Sequence, residues 1–245
     1  ALAVAARDRR ARAVVAVSPH NPTGAVLSPA ERAGLDDLAA VRELAVIVDE
    51  VFLDYPGPAC GAAAAPLPSA VAGADGRECR ALTFALSGLS KVAALPQVKL
   101  SWIVAAGPAG PREEAQAALD VIGDAYLAVG APVQLAAPAL LAGAPAAQAR
   151  VRARVAANEA WLAGRAAGLR AGRLLPRAGG WSAVLELWNA ADEEEWCLAL
   201  LAEDGVAVHP GYFFDFPRRG YAVLSLLTPP RAFRAGAARL LRRLR

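Results

Sequence analysis

Apolar positions in the first hundred residues fall in short unbroken runs, each closed by a polar or turn-forming residue. Ala13-Val14-Val15-Ala16-Val17 ends at Ser18-Pro19, and Ala45-Val46-Ile47-Val48 ends at Asp49-Glu50. Leu82-Thr83-Phe84-Ala85-Leu86 ends at Ser87-Gly88, and a fourth run, Trp102-Ile103-Val104-Ala105-Ala106, follows. Apolar runs of this length without alternation predict strands buried on both faces of a parallel sheet. Between the first two, Ser28-Pro29-Ala30-Glu31 offers an N-cap hydroxyl, a proline at the first helical position and a carboxylate three residues past the cap. That spacing predicts a helix reaching about residue 42. Residues 1–12 read as the tail of a helix. Residues 56–76, rich in Pro, Gly and Ala, read as a long loop with room for one short helix.

From Pro111 the pattern turns helical. Pro132 opens an apolar helix to about residue 141, Gly143 and Pro145 interrupt it, and a longer Ala/Arg helix covers 146–169. The composition shifts here, which places a domain boundary near 145. Residues 1–145 form part of a large α/β domain, and 146–245 form a smaller α+β domain. In the latter the pattern predicts a strand at 181–187, a helix at 192–202, strands at 206–208 and 221–226, and a closing helix at 230–244. The arginines of that last helix form a solvated face over an apolar stripe. There is no internal repeat.

Composition narrows the function classes. At 245 residues the chain can bury a sizeable core, although alanine inflates its 56% hydrophobic content. No uninterrupted apolar run reaches the roughly 18–20 residues that cross a bilayer, so no membrane association is expected. The net charge is +3, with basic residues scattered rather than gathered among aromatics. This gives no nucleic-acid footprint. Cys60, Cys79 and Cys197 are odd in number and widely spaced, which suits neither a disulfide framework nor a zinc site and makes a reducing cytoplasm the expectation. With only His20 and His209 present, a histidine-based metal site or triad is not expected. The chain has no methionine and opens at Ala1 shortly before a strand. It therefore reads as a piece of a longer protein, the alternative being a full chain that lacks only its start residue.

One bias carries chemistry. Of the 26 basic residues only Lys91 and Lys99 are lysines; the other 24 are arginines. A lysine kept against that bias suits a task a guanidinium cannot perform, because only an amine deprotonates near neutral pH and attacks a carbonyl. Both lysines follow the third apolar run. In open parallel sheets ligands sit outside the carboxyl ends of the strands. Asn21, after the first strand, Asp49, after the second, and the Ser87–Lys91 stretch, after the third, are thereby directed to one place.

Three motifs occur in order: Asn21-Pro22-Thr23-Gly24, Asp49-Glu50-Val51-Phe52 and Ser87-Gly88-Leu89-Ser90-Lys91. Each alone is a weak signal. Together, each closing a predicted strand, they resemble the class I/II aminotransferases, which are fold-type I enzymes dependent on pyridoxal 5'-phosphate (PLP). The resemblance spans nearly the whole chain and implies an α/β fold. In it, part of a mostly parallel large-domain sheet, with helices on both faces, is followed by a C-terminal small α+β domain. It implies that Lys91 forms the Schiff base with PLP and carries the proton between substrate and cofactor. It implies that Asp49 pairs with the pyridine nitrogen, keeping the ring an electron sink, and that Asn21 hydrogen-bonds the ring 3-hydroxyl. Ser90 and Lys99 match phosphate ligands, with Ser87 a weaker match because Gly88 stands where a second serine often does.

The implied activity is transfer of an amino group between an amino acid and a 2-oxo acid. A C–S lyase or other carbanion chemistry on the same fold is the runner-up, and a truncated non-catalytic homologue is the non-enzymatic reading. A homodimer is implied by the resemblance alone. Four departures stand out, the first being that the family has about a third more chain before the position of Ala1. Phe52 replaces a frequent tyrosine. Lys99 replaces the usual phosphate-binding arginine. Val223, in Gly220-Tyr221-Ala222-Val223-Leu224-Ser225, occupies the place of the usual carboxylate-binding arginine. Arg218, Arg219 and Arg231 are the nearby substitutes. His20 reads either as a neighbour of the cofactor or as a turn-packing residue, and His209 either as lining the substrate mouth or as structural. Trp102 and Tyr126 read as core or interface residues.

Overall fold

The computed structural model describes residues 2–60, 67–73, 77–188 and 192–245. These form two compact units. The first contains residues 2–19, 26–54 and 67–148, and the second contains residues 20–25, 55–60 and 149–245.

The first unit is built on a four-stranded sheet in the order β1-β2-β3-β4: Ala13–Val17, Ala45–Asp49, Thr83–Gly88 and Ser101–Ala106. β1, β2 and β3 run parallel, and β4 returns antiparallel along β3. The helix after β1, α2 (Pro29–Arg42), starts with a complete capping box. The Glu31 N–H donates to Ser28 Oγ at 3.2 Å, and the Ser28 N–H donates to Glu31 Oε2 at 2.8 Å. α2 ends where Glu43 adopts a left-handed conformation. Its Leu35 and Ala39 pack on Val46 and Val48, so one face of β2 is buried. Ile47 and Asp49 share the other face with Val15, Phe84, Leu86 and Ile103 by register. On that face Val15 is 68% exposed and Ile103 49% exposed. The short α1 (Leu2–Ala5) precedes β1, matching the expected helix tail only in its first residues.

Of the predicted 56–76 loop, residues 61–66 and 74–76 lie outside the described residues. The rest holds two single-turn 3₁₀ segments, Pro58–Cys60 and Ala70–Ala72. α3 (Leu89–Val92) follows β3 directly, and α4 (Ala109–Ala125) follows β4. Tyr126, expected in a core or an interface, is not in this core but exposed at the end of α4.

The break expected at Gly143 and Pro145 is absent. α5 (Ala131–Ala166) is one 36-residue helix with Pro138 and Pro145 inside it. An interior proline costs a helix about 3 kcal/mol, and packing on both sides of Pro145 offsets that cost. Ala144 is buried against Leu89 and Ala93, and Gln148 Nε2 donates to the Val92 carbonyl at 3.0 Å. The change of composition near 145 therefore falls inside a continuous element.

The second unit has an antiparallel sheet in the order β5-β6-β8-β7: Gly172–Leu174, Ser182–Leu187, Tyr221–Ser225 and His209–Pro210. Period-two alternation sorts its side chains. Ala183, Leu185, Leu187, Ala222 and Leu224 face a core completed by Val155 and Leu162 of α5 and by Phe233, Ala237, Leu240 and Leu241 of α7 (Pro230–Arg242). Val184, Tyr221 and Val223 face the opposite side with Phe214 and Phe216. α6 (Glu193–Asp204) is capped by Asp192 and closed by Gly205 in the left-handed region. The strand expected at 206–208 begins three residues further on, at β7, and spans only two residues; Pro210 has no N–H to extend the ladder. β5 was not predicted; its Gly-Arg-Leu sequence carries no strand pattern. α7 presents its apolar stripe inward, as the sequence implies.

Candidate active site

The junction of β3 and α3 fixes the backbone around Lys91 from three sides. A Cβ at Gly88 would lie 2.9 Å from the Leu100 carbonyl oxygen and 3.1 Å from Ser101 Cα, so glycine is what lets the start of β4 approach. The Leu89 N–H donates to that same Leu100 carbonyl at 3.0 Å. Leu89 itself is fully buried. At its far end the turn is held by Gln148 on the Val92 carbonyl. Lys91 and Ser90 are half-buried on this turn, as is Ser87 one position before Gly88. Lys99 is exposed and holds a left-handed backbone, φ 59°. It lies two residues before Ser101, which pairs with Gly88, so Lys99 belongs to the same end of the sheet.

Asp49 closes β2 opposite Leu86 of β3. The structure thus brings Asp49, Ser87, Ser90, Lys91 and Lys99 to the carboxyl end of two adjacent parallel strands. Asp49 Oδ1 accepts the Val51 N–H at 3.0 Å, which opens a turn closed by the Leu53 N–H on the Glu50 carbonyl at 3.0 Å. Among the described residues, Oδ2 is the oxygen left to face a ligand. The turn carries Phe52, which is buried, and Lys91 Nζ stands 5.6 Å from the centroid of its ring. The neighbouring Glu50 is also buried. It accepts from Ser69 Oγ at 2.6 Å and from the Ala70 N–H at 2.5 Å. Burial pushes its carboxyl above the usual value and outweighs those two bonds, with the Asp49 charge adding to the rise.

Asn21 belongs to the second unit, with the turn of residues 20–25. There the His20 N–H donates to the Ala25 carbonyl at 2.8 Å and the Gly24 N–H to the His20 carbonyl at 2.7 Å. His20 Nδ1 lies 2.9 Å from Thr23 Oγ1, which fits the turn-packing reading of that histidine. Gly24 has φ +68°, and a Cβ there would meet Arg177 Cγ and the Gly179 carbonyl at 2.5 Å. The carbonyl of Gly24 accepts from the N–H groups of Ala178 and Gly179. The side chain of exposed Asn21 lies 3.5 Å from the Ser182 hydroxyl, which donates to its Oδ1.

Sequence reasoning missed the residue behind that turn. Arg177, 5% exposed, pairs with both carboxylate oxygens of Glu159 through Nε and Nη2, one edge of its guanidinium, and donates from Nη1 to the Gly180 carbonyl. Nothing in the sequence separates it from the other 23 arginines. The Ser182 contact and the placing of Gln148 carry no sequence signal either.

Val223 is 3% exposed inside an apolar cluster, so strand β8 offers no guanidinium at that place. Two of the nearby arginines are already engaged. Arg218 pairs with Glu186 and donates to the Tyr221 hydroxyl at 2.8 Å, and Arg219 reaches Asp192 at 3.0 Å. His209 is exposed and lies 6.0 Å and 6.2 Å, centroid to centroid, from Phe213 and Phe214. Among the described residues no group of three or more His, Cys, Asp or Glu could hold a metal ion, and no helix is long and apolar enough to cross a membrane.

Comparison with known proteins fits this geometry. The profile described as aminotransferase class I and II matches residues 2–229. A Mycobacterium tuberculosis protein described as probable N-succinyldiaminopimelate aminotransferase DapC is 33% identical over 236 residues, covering 87% of this chain and 51% of its own length. The chain thus spans about half the length of the curated relatives it matches. The solved N-succinyldiaminopimelate aminotransferase of Mycobacterium tuberculosis superposes with a TM-score of 0.75 at 26% identity, over 94% of this chain and 58% of that one. The tyrosine aminotransferase of Leishmania infantum superposes with a TM-score of 0.85 at 18% identity, over 99% and 58%. The matched span holds all three motifs and both sheets: the chain belongs to the class I and II aminotransferase family, PLP-dependent enzymes of fold type I.

Proposed function

We propose that the protein of which these residues form part is an aminotransferase moving an amino group between an amino acid and a 2-oxo acid, with Lys91 as the Schiff-base lysine of PLP. One observation carries this reading: Lys91 and Asp49 stand at the carboxyl ends of neighbouring parallel strands, in the chain's only lysine-bearing stretch. The donor set fits the cofactor. It has an amine for the aldehyde, a carboxylate for the pyridinium N–H, and two hydroxyls with an ammonium for the phosphate.

When bound, PLP supplies the electron sink that makes a proton on the substrate Cα removable. The residues of this chain do the rest. Asp49 would accept the ring N–H and keep that nitrogen protonated. Lys91 would take the proton at Cα and return it. Ser87, Ser90 and Lys99 would hold the phosphate, Lys99 as a point charge rather than a two-pronged fork. Asn21 would, as in the family it resembles, donate its amide to the ring oxygen. The protein works as a homodimer in the cytoplasm on small-molecule substrates, without nucleic acid or membrane.

The name of the 33% identical relative makes an N-acylated diamino acid the first donor to try. The test is spectral. Lys91→Ala is expected to abolish the visible absorbance of bound PLP, and an unchanged spectrum rejects the assignment. Loss of that band with successive amino donors, with or without 2-oxo acid release, identifies the substrate and separates transfer from lyase chemistry.

A further inference from the structure

We propose that Phe52 is a positioning residue for Lys91, its buried ring face holding the charged amine in one place at the carboxyl end of β2 and β3. A lysine ends in a compact charge on a flexible stem, so a fixed backbone alone does not fix the amine. Here the backbone of α3 is held by Leu89, by the close approach at Gly88 and by Gln148. The tip is addressed by the Phe52 ring, with Nζ 5.6 Å from its centroid. An ammonium within about 6 Å of an aromatic face is attracted by the ring quadrupole.

The ring is itself held in place. Phe52 is 5% exposed and sits in the turn that Asp49 Oδ1 opens at Val51 and the Glu50 carbonyl closes at Leu53. Glu50 is pinned in turn by Ser69 and Ala70. A single turn therefore places both the carboxylate and the aromatic face that the lysine meets. The contact stands without any cofactor; only its consequence for cofactor loading rests on the reading of Lys91 given above.

The two lysines make the test selective. Reductive methylation with ¹³C-formaldehyde labels Lys91, Lys99 and the terminal amine, and Lys91→Arg and Lys99→Arg assign the lysine signals by removing one each. In the PLP-free protein the Lys91 methyl signal is expected upfield of the Lys99 signal through the ring current of Phe52, with an Overhauser contact to the Phe52 ring protons. Phe52→Leu is expected to abolish the displacement and Phe52→Tyr to retain it, the Lys99 signal staying in place as a report of the intact fold. A Lys91 signal without upfield displacement, or one that Phe52→Leu leaves unmoved, overturns the proposal. If the leucine variant does not fold, the Overhauser contact in the native protein decides by its presence or absence. Failure of the Lys91→Ala spectral test rejects the cofactor reading and leaves this contact untouched, so the two failures are distinguishable.

Discussion

Cys197 and Cys60 illustrate how far surroundings govern a side chain. Cys197 lies on the inner side of α6, and burial pushes its thiol up to about 11, with the carboxylate of Glu193 adding to the rise. Cys60 is exposed, its sulfur 3.1 Å from the Ala178 carbonyl. Since the thiolate is the reactive form, iodoacetamide at mildly alkaline pH is expected to modify Cys60 and spare Cys197 until the protein is unfolded. Peptide mass spectrometry reads the difference directly. Glu50 makes the matching case for a carboxyl. Its folded value stands above the ordinary 4.5, chiefly through burial, so the folded state binds the proton more tightly than the unfolded chain. The stability this contributes is complete below 4.5 and is lost as the pH rises through the folded value. Urea titrations across that window are expected to show a smaller loss of stability with rising pH in Glu50→Gln than in the native protein.

Among the elements, α5 offers the most direct test. Pro145 is exposed and interrupts the hydrogen bonding of a helix that packs on either side of it. Pro145→Ala is expected to stabilise the protein by up to about 3 kcal/mol, read as a shift of the denaturant midpoint. The same helix shows where the sequence stops being informative. β1, α2 and β2 were legible because each is specified locally, by an unbroken apolar run or by a capping box whose two bonds both form. The continuity of α5 was not, because Ala144 and Gln148 compensate for the proline through contacts with residues some fifty positions away. β5 and β7 are short strands defined by their partners rather than by their own side chains. At the candidate site the lysine and the carboxylate could be read from strand ends and residue type. Phe52 under the amine and Ser182 beside Asn21 could not, since both are matters of spatial placement.

At the scale of the whole molecule the two units are drawn in space rather than along the chain. The second gathers residues 20–25 and 55–60 around residues 177–180. The Gly24 carbonyl takes two N–H groups from Ala178 and Gly179, the Gly57 N–H donates to the Ala178 carbonyl, and the Gly180 N–H donates to the Tyr55 carbonyl. Arg177 and Glu159 lock this junction as a buried ion pair. Arg177→Ala would strand the Glu159 carboxylate and is expected to cost about 3–5 kcal/mol, whereas Arg10→Ala, removing a solvent-exposed pair with Asp8, is expected to leave the unfolding transition essentially where it is. Calorimetry of the two variants side by side checks the contrast. The junction also imposes an order on biogenesis. Residues 20–25 and 55–60 leave the ribosome well over a hundred positions before the strand-edge segment that will bind them, and their backbone groups must wait, solvated, for it to arrive. The second unit is thus no cassette that a recombination event could lift out between two points of a gene. A cut at 148 parts residues 149–245 from a portion of their own wall, and the turn that carries Asn21 stays with the other piece.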